Sequence, residues 1–255
     1  MRYEGKAVLI TGGAAGIGLG MARAFLEEGA TVLIGDFRPD KLARAVALLA
    51  EDFGDRIIGQ PGDVRDAAQV GAMFDALRAR TGRLDVAISN AGIYPNRLVI
   101  EMEEEEWDRV FDTNLKGTFL VCREAARRLV AQGTGGNIIT ISSGAARGGR
   151  ITASHYCASK AGVTMFSQIL AVELARYKIR VNCIAPSMIN TESEVNPLPV
   201  WRVEEAEANS QLLLGRMCEP RDIANAALFL ASDEASFITG EMLAVMGGAG
   251  AARPR

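Results

Sequence analysis

The chain reads as an α/β protein built on one doubly wound parallel sheet of about seven strands with helices on both faces. Three observations predict this. Strand-length apolar runs alternate with segments of helical period from one end to the other. The runs are continuously apolar, as in strands covered on both faces. The first run also breaks into a glycine-rich turn just before the first helical segment.

The elements follow in order. Ala7 to Thr11 is a buried strand and Ile17 to Glu28 a helix closed by Gly29. Thr31 to Gly35 is a second strand. Pro39 suits a first helical position and Asp40 to Phe53 continue the helix, with Leu42, Val46 and Leu49 on one face. Arg56 to Gly59 is a strand and Ala67 to Arg80 a helix. Leu84 to Ser89 is a strand, and Trp107 to Gln132 one long helical stretch. Asn137 to Ser142, Ala153 to Tyr177 and Ile179 to Ala185 give strand, helix and strand. After an irregular segment, helices near Glu204 to Leu214 and Pro220 to Ser232 lead to a last strand near Glu241 to Val245. No linker, repeat or low-complexity segment interrupts the 255 residues, so residues 1–255 are expected to form a single domain, with a substrate loop and helix at about 187–216.

Composition excludes several functions. There is one histidine, His155, so no multi-histidine metal centre is possible and no metal is expected. A serine triad would have to run through that residue. A net charge of −3 and a pI near 5.4 argue against nucleic-acid binding. No apolar run approaches the ~18 residues of a membrane span. The four cysteines form no CxxC pair, which points to a reduced, cytoplasmic setting. Glu103 to Glu106 suits a helix N-terminus, where carboxylates complement the dipole.

Thr11-Gly12-Gly13-Ala14-Ala15-Gly16-Ile17-Gly18 joins the first strand to the first helix. Glycines there permit a tight turn and close approach of backbone to a pyrophosphate at the helix N-terminus. Asp36 ends the second strand, where a carboxylate accepts hydrogen bonds from ribose hydroxyls and repels a 2′-phosphate by up to ~4 kcal/mol before screening. NAD is therefore expected over NADP, although Arg38 could offset a phosphate. Further on, Tyr156 and Lys160 stand one helical turn apart. A neighbouring ammonium lowers a tyrosine pKa, and bringing it from ~10 to near neutrality requires about 4 kcal/mol. Ser143 precedes Tyr156 by thirteen residues, and Ser142 is its competitor.

The turn spacing TGxxxGxG, with Asp63-Val64, Asn90-Ala91-Gly92, Asn114, Ser143 and Tyr156-x3-Lys160 in that order, resembles the short-chain dehydrogenase/reductase family over nearly the whole chain. The resemblance implies a Rossmann-type fold and an oxidoreductase that moves hydride between a secondary alcohol, of sugar, polyol or hydroxy-acid type, and NAD. It implies Tyr156 as general acid/base, Ser143 holding the substrate oxygen, and Lys160 on the nicotinamide ribose. Asn114 would keep a water in the proton relay by bending its helix. Gly12, Ala15, Gly16, Ile17 and Gly18 would take the pyrophosphate, Asp36 the ribose and Asp63 and Val64 the adenine. Asn90, Ala91 and Gly92 would line the cofactor, with Pro186, Ile189 and Thr191 near the nicotinamide. The family also implies a homotetramer through the helices near Trp107–Gln132 and Ala153–Tyr177. Two departures stand out: Ser187 replaces the usual glycine after Pro186, and Met246 precedes Gly247-Gly248 where an acidic residue is common.

Substrate choice falls to the loops Ile93 to Val99, Gly144 to Ser154 and Ser187 to Arg216. They bring Tyr94, Arg97, Arg147, Arg150, His155 and Trp201 as candidates for substrate contact. The arginines suit an anionic group or are ordinary surface residues, and His155 is read as pocket rim or packing. Two other functions fit less well: an NADPH-dependent 3-oxoacyl carrier-protein or other carbonyl reductase, which Asp36 opposes, and a non-catalytic dinucleotide-binding regulator.

Overall fold

The computed structural model describes residues 1–187, 189 and 212–249. Seven parallel strands form one sheet: β1 (Ala7–Thr11), β2 (Thr31–Asp36), β3 (Ile57–Pro61), β4 (Val86–Ser89), β5 (Gly136–Ile141), β6 (Ile179–Pro186) and β7 (Met242–Val245), in the order β3-β2-β1-β4-β5-β6-β7. The helices are α1 (Gly16–Glu27), α2 (Pro39–Phe53), α3 (Ala67–Thr81), α4 (Glu104–Phe111), α5 (Gly117–Gln132), α6 (Ala145–Gly148), α7 (Ser154–Leu174) and α8 (Pro220–Ala231).

Both faces of the sheet are buried, which is why its strands are apolar throughout. Along β1, Val8 and Ile10 point to a layer formed with Met21 and Phe25 of α1, Leu42 and Leu49 of α2, and Leu228 of α8. Ala7 and Leu9 point to the opposite layer with Phe74 and Leu77 of α3, Leu129 of α5 and Leu174 of α7. Helix ends follow local chemistry. Asp66 caps α3 by accepting from the N–H groups of Ala68 and Gln69 at 2.8 and 3.2 Å, and Gly82 ends it at φ +72°. Glu219 and Asp222 form a capping box around Pro220 at the start of α8.

The expected elements are present with shifts of one to three residues at their ends, where capping outweighs periodicity. Three differences carry meaning. The long helix from Trp107 to Gln132 is divided by a π-helical turn, Asp112–Lys116. A short helix, α6, sits inside the expected loop after β5 because Ser143 Oγ accepts the Ala145 N–H at 3.1 Å. Residues 212–214 are turn and bend, and the rest of the helix expected near Glu204 to Leu214 lies outside the described residues. Among the described residues no helix is long and apolar enough to cross a membrane.

Strand order reverses between β1 and β4. In such sheets the crevice for a ligand opens at the carboxyl ends of the two strands that flank the reversal. Those ends are Thr11 with the glycine turn, and Ser89 with Asn90-Ala91-Gly92.

Candidate active site

The turn after β1 is clamped to the loop after β4. Asn90 Nδ2 donates to the carbonyls of Thr11 and Gly12 at 2.9 and 3.0 Å, and Thr11 Oγ1 accepts the N–H groups of Asn90 and Ala91 at 3.1 and 3.3 Å. Gly12 and Gly16 have φ of +64° and +53°. A Cβ on Gly18 would lie 2.2 Å from the Gly12 carbonyl oxygen, so only hydrogen fits. Ala15 offers no side-chain cap to α1, and the first turn holds no acid. The helix thus presents open N–H groups and the positive end of its dipole to the crevice, a chemistry that fits a pyrophosphate.

Asp36 closes β2 with its side chain 3 % exposed. Its Oδ1 accepts the backbone N–H and Nε of Arg38, both at 3.1 Å, and Oδ2 faces Nη2 at 3.4 Å. Asp63 is similarly gripped by Arg65, with Oδ2 2.6 Å from Nη2, which holds its carboxyl below the usual range. Val64 is buried against the π-turn, its Cγ2 2.7 Å from where a Cβ of Gly117 would be.

The π-turn places Asn114 fully inside. Its Oδ1 accepts the Ile93 N–H at 2.8 Å, and its Nδ2 donates to the Ile93 carbonyl and to Ser159 Oγ at 2.9 and 3.1 Å. Thr118 Oγ1 donates to the Asn114 carbonyl at 2.7 Å. Ser159 Oγ in turn donates to the Tyr156 carbonyl at 2.8 Å. The bulge in one helix thereby braces the first turn of α7. Lys160, 4 % exposed, donates to the Ile141 carbonyl at 2.7 Å, and its Nζ lies 6.0 Å from the Tyr156 ring centroid. A Cβ on Gly92 would sit 3.4 Å from that Nζ and 3.1 Å from Asn114 Oδ1.

The two serines separate cleanly. Ser142 Oγ is buried against the Lys160 carbonyl at 2.8 Å and Thr164 Oγ1 at 2.9 Å, so it fastens α7 to β5. Ser143 is the one whose side chain hydrogen-bonds Tyr156. The expected electrostatics require a correction. Burial pushes the Tyr156 phenol up, against the Ser143 hydrogen bond and the charge of Arg150, which pull it down. Burial likewise pushes the Lys160 ammonium down, to about 8.

A second group of side chains gathers around Tyr156. The Tyr94 ring meets Tyr156 edge-on with centroids 6.2 Å apart, and the Arg150 guanidinium carbon lies 5.5 Å from the Tyr156 centroid. Arg150 Nη2 donates to Asn96 Oδ1 at 2.8 Å, and the Arg97 N–H donates to the Thr152 carbonyl at 2.6 Å. Arg97 Nε pairs with Glu106 at 3.3 Å. His155 is fully buried between α7 and α4, with Nε2 3.7 Å from Glu106 Oε1, so it is packing and not rim. Arg147 is exposed on α6. Pro186 ends β6, its carbonyl accepting the Gly144 N–H at 2.9 Å, and Ser187 needs no positive φ. Ile189 bridges to Cys218. Thr191 and Trp201 lie outside the described residues.

Sequence reading passed over Ser159, Thr11 as a clamp, and Thr152. Ser159 had a usable signal, since it stands one turn after Tyr156. Thr152, at φ +64°, had none.

The chain was compared with known proteins. Residues 12–250 match a family described as enoyl-(acyl carrier protein) reductase. A 3-oxoacyl-(acyl-carrier-protein) reductase of Thermotoga maritima is 38% identical over 250 residues, covering 97% of this chain and 99% of that protein. A D-threitol dehydrogenase of Mycolicibacterium smegmatis is 38% identical over 250 residues, with 97% and 94% covered. The crystal structure of a 3-ketoacyl-(acyl-carrier-protein) reductase from Brucella melitensis complexed with NADH has a TM-score of 0.87 at 33% identity, covering 96% of this chain and 98% of that one.

Proposed function

Since the chain belongs to the short-chain dehydrogenase/reductase family, an oxidoreductase family with a Rossmann-type site for a nicotinamide dinucleotide, we propose that it interconverts a secondary alcohol and a ketone with NAD as the preferred cofactor. The observation that carries this reading is one cluster: Ser143, Tyr156, Lys160 and Asn114 stand together beside the crevice between β1 and β4.

In this reading the uncapped start of α1 holds the pyrophosphate, Asp36 the adenosine ribose, and Asp63 and Val64 the adenine rim. Lys160 reaches the nicotinamide ribose past Gly92, whose missing side chain leaves the way open. A bound nicotinamide supplies the hydride acceptor or donor. Ser143 hydrogen-bonds the substrate oxygen and positions it. Tyr156 takes the hydroxyl proton during oxidation and returns it during reduction. Asn114 braces α7 through Ser159 so that the tyrosine stays aimed. The reading extends to a cytoplasmic homotetramer, supported by the exposed apolar residues Phe119 on α5 and Met165, Ile169 and Val172 on α7.

The buried carboxylate of Asp36 supports NAD, as does the NADH bound by the Brucella relative. One observation favours a second reading, NADPH-dependent reduction of a 3-oxoacyl thioester. Arg38 already lies against Asp36 and, once released, its guanidinium would meet a 2′-phosphate.

The test is turnover of alcohols and ketones followed by nicotinamide absorbance, with each cofactor, for the native chain and Tyr156→Phe. The variant is expected to lose at least ~10²-fold in kcat, the span of a lost general acid/base. Near-normal turnover would remove Tyr156 from the mechanism, and tighter binding of NADPH than NADH would reverse the cofactor preference.

A further inference from the structure

Tyr156 has beside it a charge that hydride transfer to a neutral alcohol does not need. The Arg150 guanidinium carbon lies over the ring of Tyr156, 5.5 Å from its centroid, and its positive charge pulls the Tyr156 phenol down. Among the described residues no carboxylate pairs with Arg150, whereas Arg97 of the same group is paired with Glu106. The polar partner of Arg150 among the described residues is neutral, the Asn96 Oδ1 at 2.8 Å.

Its position is also enforced at a cost. Thr152, two residues on, has φ +64°, a left-handed conformation that β-branched residues rarely adopt. The surroundings hold it there: the Thr152 carbonyl accepts the Arg97 N–H at 2.6 Å, and Thr152 Oγ1 faces Asn96 Oδ1 at 3.4 Å. Strain that neighbours maintain is characteristic of segments that hold a functional group in place. The Tyr94 ring also meets Tyr156, edge-on, with centroids 6.2 Å apart. The Tyr156 ring thus has one cationic and one aromatic neighbour.

We propose that Arg150 is a specificity-determining residue that binds a free carboxylate of the substrate, so that this site takes short hydroxy acids and the corresponding oxo acids. A guanidinium fork matches a carboxylate in two parallel hydrogen bonds. The Tyr94 ring offers a surface for a short alkyl end. A thioester has no charge at this position, and the Arg150 fork would go unused. In the oxidation the carbinol C–H bond breaks and its electron pair passes as hydride to the nicotinamide. The hydroxyl proton goes to Tyr156 and a C=O bond forms, while the carboxylate remains unchanged on Arg150.

The inference rests on the dehydrogenase reading above, and the experiment separates the two. Oxidation of 3-hydroxybutyrate, of its methyl ester and of 2,3-butanediol is measured for the native chain, Arg150→Gln and Arg150→Lys. The native chain is expected to prefer the acid to both neutral probes. The acid-to-ester ratio of kcat/KM should fall at least ~10-fold in Arg150→Gln, the loss lying in KM, with partial recovery in Arg150→Lys. A ratio unchanged by Arg150→Gln would show that the arginine acts through Tyr156 and would overturn the proposal. Native preference for the ester or the diol, or no turnover of the acid, would overturn it as well. In either case Tyr156→Phe assayed on whichever substrate turns over decides the underlying reading. Loss there keeps the dehydrogenase and discards only its acid substrate.

Discussion

The β1–α1 turn and the loops 93–99 and 144–153 follow the neighbouring parallel strands β1, β4 and β5 at one edge of the sheet but hold their shape by different means. The turn is shaped by its backbone, with left-handed glycines and an uncapped helix start, and two short side chains, Asn90 and Thr11, pin it. The two loops are joined by one backbone bond, Arg97 to Thr152, and otherwise by long side chains, Asn96 with Arg150, and Arg97 with Glu106 of α4. A backbone cradle suits a ligand part that never varies, such as a pyrophosphate, because any side chain would only obstruct it. Loops joined by side chains can be rewritten residue by residue without disturbing the sheet, which suits the part of the reaction that differs between relatives.

The largest effect should come from adding one methyl to the turn. Gly18→Ala would place a Cβ 2.2 Å from the Gly12 carbonyl oxygen and 2.7 Å from Asn90 Nδ2. Backbone cannot yield there as a flexible side chain can, so a loss of about 3 kcal/mol is expected on the scale of overpacked sites. NADH affinity should fall by about 10²-fold, since α1 and the Asn90 clamp must part. Thermal melts and NADH titration read the two effects. Intact NADH binding in a folded Gly18→Ala chain would show that the turn is not the dinucleotide cradle.

The same contrast decides what the sequence could tell. Gly12, Gly16 and Gly18 announce the turn because glycine spacing is itself the constraint, and Asp36 announces its position because a strand end is local. The parallel order of the sheet followed from continuously apolar runs joined by helices. The π-turn at Asp112–Lys116 was not legible, since residues 107–132 have an unbroken helical composition and only the tertiary pull on Asn114 inserts the extra residue. Nor was the direction of the Tyr156 shift. One turn of helix puts Lys160 beside it, but the burial that weakens that ammonium comes from β5 and β6, brought in from elsewhere in the chain.

A smaller effect tests the cost of that burial. The ordinary lysine value is about 10.5 and Lys160 is pushed down to about 8. Below about pH 8 it is charged in both the folded and unfolded chains, and the folded state bears the full desolvation penalty. As pH rises from about 8 toward 10.5 the folded lysine loses its proton first, so the penalty fades. Lys160→Met should therefore be more stable than the native chain at pH 7 by about 2 kcal/mol, after allowing for the lost hydrogen bond to Ile141. That margin should narrow through the same pH range. Denaturant melts at pH 7 and 10 measure it. A variant less stable at both would mean that the site needs the ammonium for its fold and not only for its chemistry.

The smallest expected effect bears on the two loops. Thr152 holds a left-handed conformation worth roughly 1–2 kcal/mol of strain, and glycine would remove it. Glycine also loses more backbone entropy on folding, about 0.5–1 kcal/mol, so Thr152→Gly should leave the melting temperature unchanged or slightly raised. Its consequence should appear in KM. Without the Thr152 side chain near Asn96, the segment carrying Arg150 is less fixed, and KM should rise several-fold while kcat holds, because Tyr156, Ser143 and Lys160 are braced separately through Ser159 and β5. A fall in melting temperature would assign Thr152 to the stability of the fold. An unchanged KM would mean that the loops keep their shape without the strain, and that the turn and the loops differ less than their hydrogen bonds suggest.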